Sequence, residues 1–155
     1  MKNLVHILLL FLTISATAQE FNSSVPKSVI ILLSTKNYSI ARKFAIEAGK
    51  KLKKEVRFGG LTPNPKTGLT MSRTDCETYG YPCYIARGEG DAANSKFISV
   101  EYSNAYEGFA KGYYIVVAGM VEPKSVELVT EMQKIRTVYK NVYAKQTRVW
   151  FGCLH

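Results

Sequence analysis

Histidine is almost missing from this chain, which holds only His6 and His155 among 155 residues. A Ser-His-Asp triad or a Cys-His pair needs an imidazole beside its nucleophile. With neither histidine between residues 7 and 154, both arrangements are disfavoured. Cysteine is scarce as well, with Cys76, Cys83 and Cys153 alone. No C-x-x-C occurs, which argues against disulfide exchange chemistry. A Cys₃His zinc site joining these cysteines to His155 just reaches the ligand count, but C-x₆-C is not a usual zinc spacing. The turn "GEGDAAN" lacks the Lys-Ser/Thr ending and following helix of a phosphate loop. No metal, cofactor or catalytic residue set is therefore expected. Long apolar runs are absent too: none approaches the ~20 residues that cross a bilayer core. Acids are the last shortage, with 12 Asp and Glu against 21 Lys and Arg, a formal charge of +9.

What is present begins with a three-part leader. Lys2 opens a positive start, Leu4 to Ile14 is almost unbroken in apolarity, and Ala16-Thr17-Ala18 supplies small residues of the A-x-A type. This is the layout of a secretory signal peptide over residues 1–18, cleaved before Gln19. Cleavage removes Lys2 and no acid, so 137 residues of charge +8 remain. That length suits one domain with a substantial core. A basic exported protein, periplasmic or extracellular, is expected to meet wall glycans or other anionic envelope components rather than nucleic acid. In that compartment a disulfide is expected. Three pairings exist, 76–83, 76–153 and 83–153. Closure of Cys76 on Cys83 asks least of the fold and is preferred, with Cys153 as the alternative partner.

Residues 19–27 read as a polar, flexible lead-in. "SVIILLST" (28–35) is a continuous β-branched run, the pattern of a strand covered on both faces. In 37–55, Ala41, Phe44, Ala45, Ala48 and Leu52 form one helical stripe, and Arg42, Lys43, Lys50, Lys51, Lys53 and Lys54 lie off it. Asn37 or Ser39 is placed to cap it. "VRFGG" (56–60) suggests a short strand, followed by a Pro- and Gly-containing irregular connection. "CYIARG" (83–88) and "KFISVEY" (96–102) read as an inserted pair of strands. In the second, Ile98, Val100 and Tyr102 share one face while Ser99 and Glu101 share the other. "YYIVVAGM" (113–120) is a further strand, 123–139 a helix with Pro123 in its first turn, and 141–152 the last strand. Strand and helix thus recur at an offset of 85 residues. The order is that of a ferredoxin-like α+β domain, βαβ-βαβ, with two helices packed on one sheet and an insertion over 59–102.

The stretches "VIILLSTKNYSIARKFAIEAGKKL" and "YYIVVAGMVEPKSVELVTEMQKI" resemble the SPOR domain family. Ala41, Ala45 and Ala48 match the family's first helix, and Val116-Val117-Ala118-Gly119 its second strand. The resemblance covers about 70 residues in two pieces. It implies a single SPOR-like domain over 28–155 that recognises peptidoglycan glycan strands on an exposed sheet face, without catalysis. The chain departs from that pattern in its long insertion and in central strands that are apolar on both sides.

Aromatics crowd the insertion and its surroundings. Tyr79, Tyr81, Tyr84 and Arg87 are the binding residues expected there, since tyrosine rings stack on sugars and arginine binds anionic substituents. Glu77, Glu89, Asp91, Glu101 and Glu107 are the carboxylates from which a glycoside hydrolase pair would have to be drawn, and no spacing favours one. The chain is thus expected to be an exported, non-enzymatic binding domain for a cell-envelope glycan. The first alternative is a secreted protein-interaction module, inhibitor- or propeptide-like, with a protein partner. The second is a hydrolase.

Overall fold

A computed structural model describes residues 24–87 and 96–150. The signal peptide, Glu89, Asp91, Cys153 and His155 lie outside the described residues. No helix among the described residues is long and apolar enough to cross a membrane.

The chain forms β1 (Ser24–Thr35), α1 (Tyr38–Leu52), β2 (Val56–Arg57), β3 (Pro63–Asn64), β4 (Gly68–Leu69), β5 (Ile98–Tyr102), β6 (Tyr114–Val121), α2 (Val126–Arg136) and β7 (Tyr143–Trp150). Five strands make one sheet in the order β2-β5-β6-β1-β7, and β3 pairs with β4 in a small second sheet. β1 runs antiparallel to β6 and β7, and β5 antiparallel to β6. The four long strands therefore carry the ferredoxin-like order, and the expected fold class is observed.

Each helix starts where a side chain relieves its first free N–H groups. The Asn37 side chain accepts from the Ile40 N–H at 3.1 Å, and Ser125 Oγ from the Leu128 N–H at 3.1 Å. Asn37, not Ser39, is the cap. α2 begins after Pro123, which lies in the preceding turn rather than in the helix. Ala41, Ala45 and Ala48 are fully buried and let α1 lie close on the sheet. Gly49 continues that closeness, because a Cβ there would overlap Val56.

Three further sequence expectations change. Residues 24–27, expected to be flexible lead-in, belong to β1 and pair with β7 from Ser24↔Trp150 onward. Residues 83–87 form no strand. Their backbone is taken up elsewhere: the Cys83 carbonyl accepts from Thr70 Oγ1 (2.7 Å) and the Met71 N–H (3.1 Å), and the Arg87 N–H donates to the Tyr106 hydroxyl (3.1 Å). β5, expected within the insertion, is instead the second long strand of the first βαβ half. β2, directly after α1, only borders it in parallel through Val56↔Ile98 and Arg57↔Ser99.

The sheet is covered on both sides. On the helix side Ile30, Leu32, Val116 and Ala118 pack with the α1 alanines, Met132 and Ile135. On the other side Val29, Ile31, Ile115 and Val117 pack with Tyr106, Phe109 and Val149. The cover on that second side is the β5–β6 connection. It is fastened by the Tyr113 N–H on Ser103 Oγ (3.0 Å), the Gly112 N–H on Asn104 Oδ1 (2.7 Å) and Thr147 Oγ1 on the Glu107 carbonyl (3.0 Å). The open sheet face that the SPOR resemblance implied is therefore filled by Tyr106 and Phe109.

Candidate binding site

The inserted segment is organised around Cys76 and Cys83, whose sulfurs lie 2.13 Å apart and whose Cα atoms are separated by 5.6 Å. The local pairing is the one formed. Cys76 is fully buried, and the Tyr79 and Gly80 N–H groups donate to its carbonyl at 3.1 and 2.8 Å, coiling residues 76–80 beneath the bridge. Ser72 Oγ accepts from the Asp75 N–H at 3.1 Å and donates to the Asp75 carboxylate at 2.6 Å, closing the turn before it.

The four expected binding residues do not share one surface. Tyr79 stands out of the loop at 78% exposure. Tyr81 is half-buried, with the Arg73 guanidinium 4.4 Å over its ring. Tyr84 donates its hydroxyl to the Thr67 carbonyl at 3.0 Å and packs on Tyr102, ring centroids 5.5 Å apart. Arg87 is buried at 8% exposure, and its guanidinium is engaged by the protein itself. It meets the Glu101 carboxylate at 2.8 Å, the Phe97 carbonyl at 3.0 Å, the Val117 carbonyl at 3.2 Å and Ser99 Oγ, and lies 4.0 Å over the Phe97 ring. A guanidinium so engaged anchors the insertion to the second face of the sheet. The tyrosine density read from the sequence is largely structural: Tyr84, Tyr102, Tyr114 and Tyr38 form a continuous row with centroid spacings of 5.2–5.5 Å.

Tyr106 completes the polar cluster by donating to the second Glu101 oxygen. Its burial, then the adjacent Glu101 charge, push the phenol well above its ordinary value. Glu101 is thus committed to an ion pair, while Glu107 is exposed at the turn after Tyr106 and Glu77 is exposed on the disulfide loop. No group of three His, Cys, Asp or Glu side chains suited to a metal ion occurs among the described residues.

Segment 84–87 separates two cavities, both lined by Ile85 and Ala86. One, of about 280 Å³, lies at the β5 edge and is bounded by Tyr38, Phe58, Leu61, Leu69, Phe97 and Tyr102. The other, of about 230 Å³, lies between Tyr84, the Ala105–Glu107 turn and the strand ends Ser24 and Arg148–Trp150. In this second cleft two aromatics, Tyr84 and Trp150, border the same space as the ionic side chains of Arg148 and Glu107. Arg148 is held there by its Nε on Ser24 Oγ at 3.3 Å. Trp150, the chain's single tryptophan, is 40% exposed. The sequence reading missed Trp150 and Arg148, because only the long β1–β7 pairing brings the end of the chain beside the insertion. The signal that would have found them is the isolated tryptophan itself. No family model, curated protein or solved structure matches this chain.

Proposed function

We propose that this protein is an exported, non-enzymatic binding domain that holds a cell-envelope glycan in the cleft between Tyr84 and Trp150. The observation that carries the reading is the convergence of two aromatic side chains with Arg148, Glu107 and Ser24 around one space. Aromatic rings cover the C–H faces of sugars, and fixed charged and hydroxyl groups satisfy their hydroxyls. The charge of +8 that remains after cleavage of residues 1–18 favours glycans bearing carboxylates. The Cys76–Cys83 bridge fits an oxidising compartment, as does the leader read from residues 1–18. This site differs from an open sheet platform: it lies at the rim, where the insertion meets the last strand.

The test is co-sedimentation of the mature protein with purified peptidoglycan sacculi at low salt, beside Trp150→Ala and Trp150→Phe. The wild type is expected in the pellet. Trp150→Ala is expected to lose at least tenfold in affinity, and Trp150→Phe, which keeps an aromatic face, to retain most of it. Failure of the wild type to sediment would sink the glycan reading, as would equal retention of all three proteins.

A further inference from the structure

We infer that the 280 Å³ cavity at the β5 edge is a second binding site, one that takes an extended peptide segment carrying an apolar side chain and an acidic neighbour. The inference starts from how β2 ends. β2 follows β5 only as far as Arg57↔Ser99. The chain then leaves at Gly59 and Gly60, where φ of +71° at Gly60 turns it away. The lane beside Val100, Glu101 and Tyr102 is left without a strand among the described residues.

Strand parity decides which groups face that lane. The Ile98 N–H donates outward to the Glu55 carbonyl at 2.8 Å. Ile98, Val100 and Tyr102 therefore turn their main-chain groups away from β6, while Ser99 and Glu101 turn theirs towards it. Beyond the end of β2 this places the Val100 carbonyl and the Tyr102 N–H on the lane, one acceptor and one donor. One residue of a parallel strand satisfies both, donating its N–H to Val100 and accepting from Tyr102. Strand addition of this kind draws affinity from the main chain and selectivity from an adjoining pocket.

The adjoining pocket is apolar, with Phe58, Leu61, Leu69 and Ile85 on its walls. Its rim is cationic. Arg57 lies 4.4 Å over Phe97 and is already met by Glu55 at 2.8 and 2.9 Å. Arg42 lies 4.8 Å over Phe58 and is exposed, with no carboxylate paired to it among the described residues. An uncompensated guanidinium stacked on a wall residue favours an acid beside the buried side chain. The site is independent of the glycan cleft, since only Ile85 and Ala86 line both.

The mature protein, labelled with ¹⁵N, is titrated with a blocked tetrapeptide of phenylalanine and valine between two glutamates. Two variants accompany it. Gly59→Leu projects into open space at a position whose φ is not positive, so it narrows the pocket without straining the fold. Arg42→Glu reverses the exposed rim charge. Expected are shifts at the Val100 and Tyr102 amides, slowed exchange of the Tyr102 N–H, and no shift at the Trp150 indole. Each variant is expected to weaken binding at least tenfold while keeping the wild-type spectrum elsewhere, and a peptide with serines at the two central positions is expected not to bind. Absence of shifts at Val100 and Tyr102 with millimolar peptide would overturn the inference. So would binding unchanged in Gly59→Leu, or shifts confined to the Trp150 cleft.

Discussion

Arg87 Nε lies 2.8 Å from the Glu101 carboxylate, with only 3% and 10% of the two side chains left to solvent. The pair joins the insertion to β5 on the face away from the helices. Removing one partner of a buried pair strands the other charge, at a cost of about 3–5 kcal/mol. Arg87→Ala should therefore lower unfolding stability in urea by about that much. The double variant Arg87→Met, Glu101→Leu should lose distinctly less, because neither charge remains to be solvated. Equal losses in single and double variants would show that packing against Phe97, not charge, is what Arg87 contributes.

The same pair shows what was legible in the sequence. Alternation in "KFISVEY" placed Ile98, Val100 and Tyr102 opposite Ser99 and Glu101, and the structure keeps that division. The apolar runs at 28–35 and 113–120 called for cover on both faces, and the sheet has it, from α1 and α2 on one side and Tyr106 and Phe109 on the other. The family resemblance implied an open face, whereas Tyr106 and Phe109 pack on the face away from the helices. Arg87 is expected from the sequence as a ligand contact, and nothing local shows that its guanidinium also meets Glu101 and Ser99. Its partners stand 10 to 30 residues away. The β-forming side chains of residues 83–88 predict a strand, yet the backbone of 83–87 is taken up by Thr70, Met71 and Tyr106 instead of by a sheet partner.

Gly68 is required by Tyr102. It sits at φ of +70°, and a Cβ there would come within 2.1 Å of the Tyr102 ring. Gly68→Ala combines a left-handed backbone penalty with overpacking, about 2–4 kcal/mol together. Gly80, also at positive φ of +81° but with nothing near its Cβ, should cost only the backbone share, about 1 kcal/mol. Thermal unfolding of the two alanine variants side by side separates clash from strain.

The disulfide spans a sequence separation of 7, a loop for which chain entropy gives about 2–3 kcal/mol. Cys83 is also held through its carbonyl by Thr70 and Met71, bonds that do not depend on the sulfur bridge. Replacing both cysteines by serine should thus loosen residues 72–82 without opening the sheet. Hydrogen exchange is expected to rise in that loop and stay unchanged across β1 and β6. Non-reducing peptide mapping of the wild type should recover Cys76 linked to Cys83, and recovery of either one linked to Cys153 would contradict the local pairing.

Lys54 ties the end of α1 to α2 and to the sheet, with its ammonium 2.9 Å from Glu131 and 3.0 Å from the Ala118 carbonyl. Burial pushes the Glu131 carboxyl up, but the hydrogen bond and charge of Lys54 outweigh it and hold the group below its ordinary value of 4.5. A carboxylate more acidic in the folded state stabilises the fold at pH values above its unfolded value. That contribution is lost as pH falls through the folded one. Glu131→Gln should therefore cost about 1–2 kcal/mol at neutral pH, the loss of a hydrogen bond between charged groups. The gap between wild type and variant should close steadily once pH drops below 4.5, measured by urea unfolding across an acid series. A gap that stays constant with pH would mean that Glu131 acts through its shape and not its charge, leaving Lys54 anchored by the Ala118 carbonyl alone.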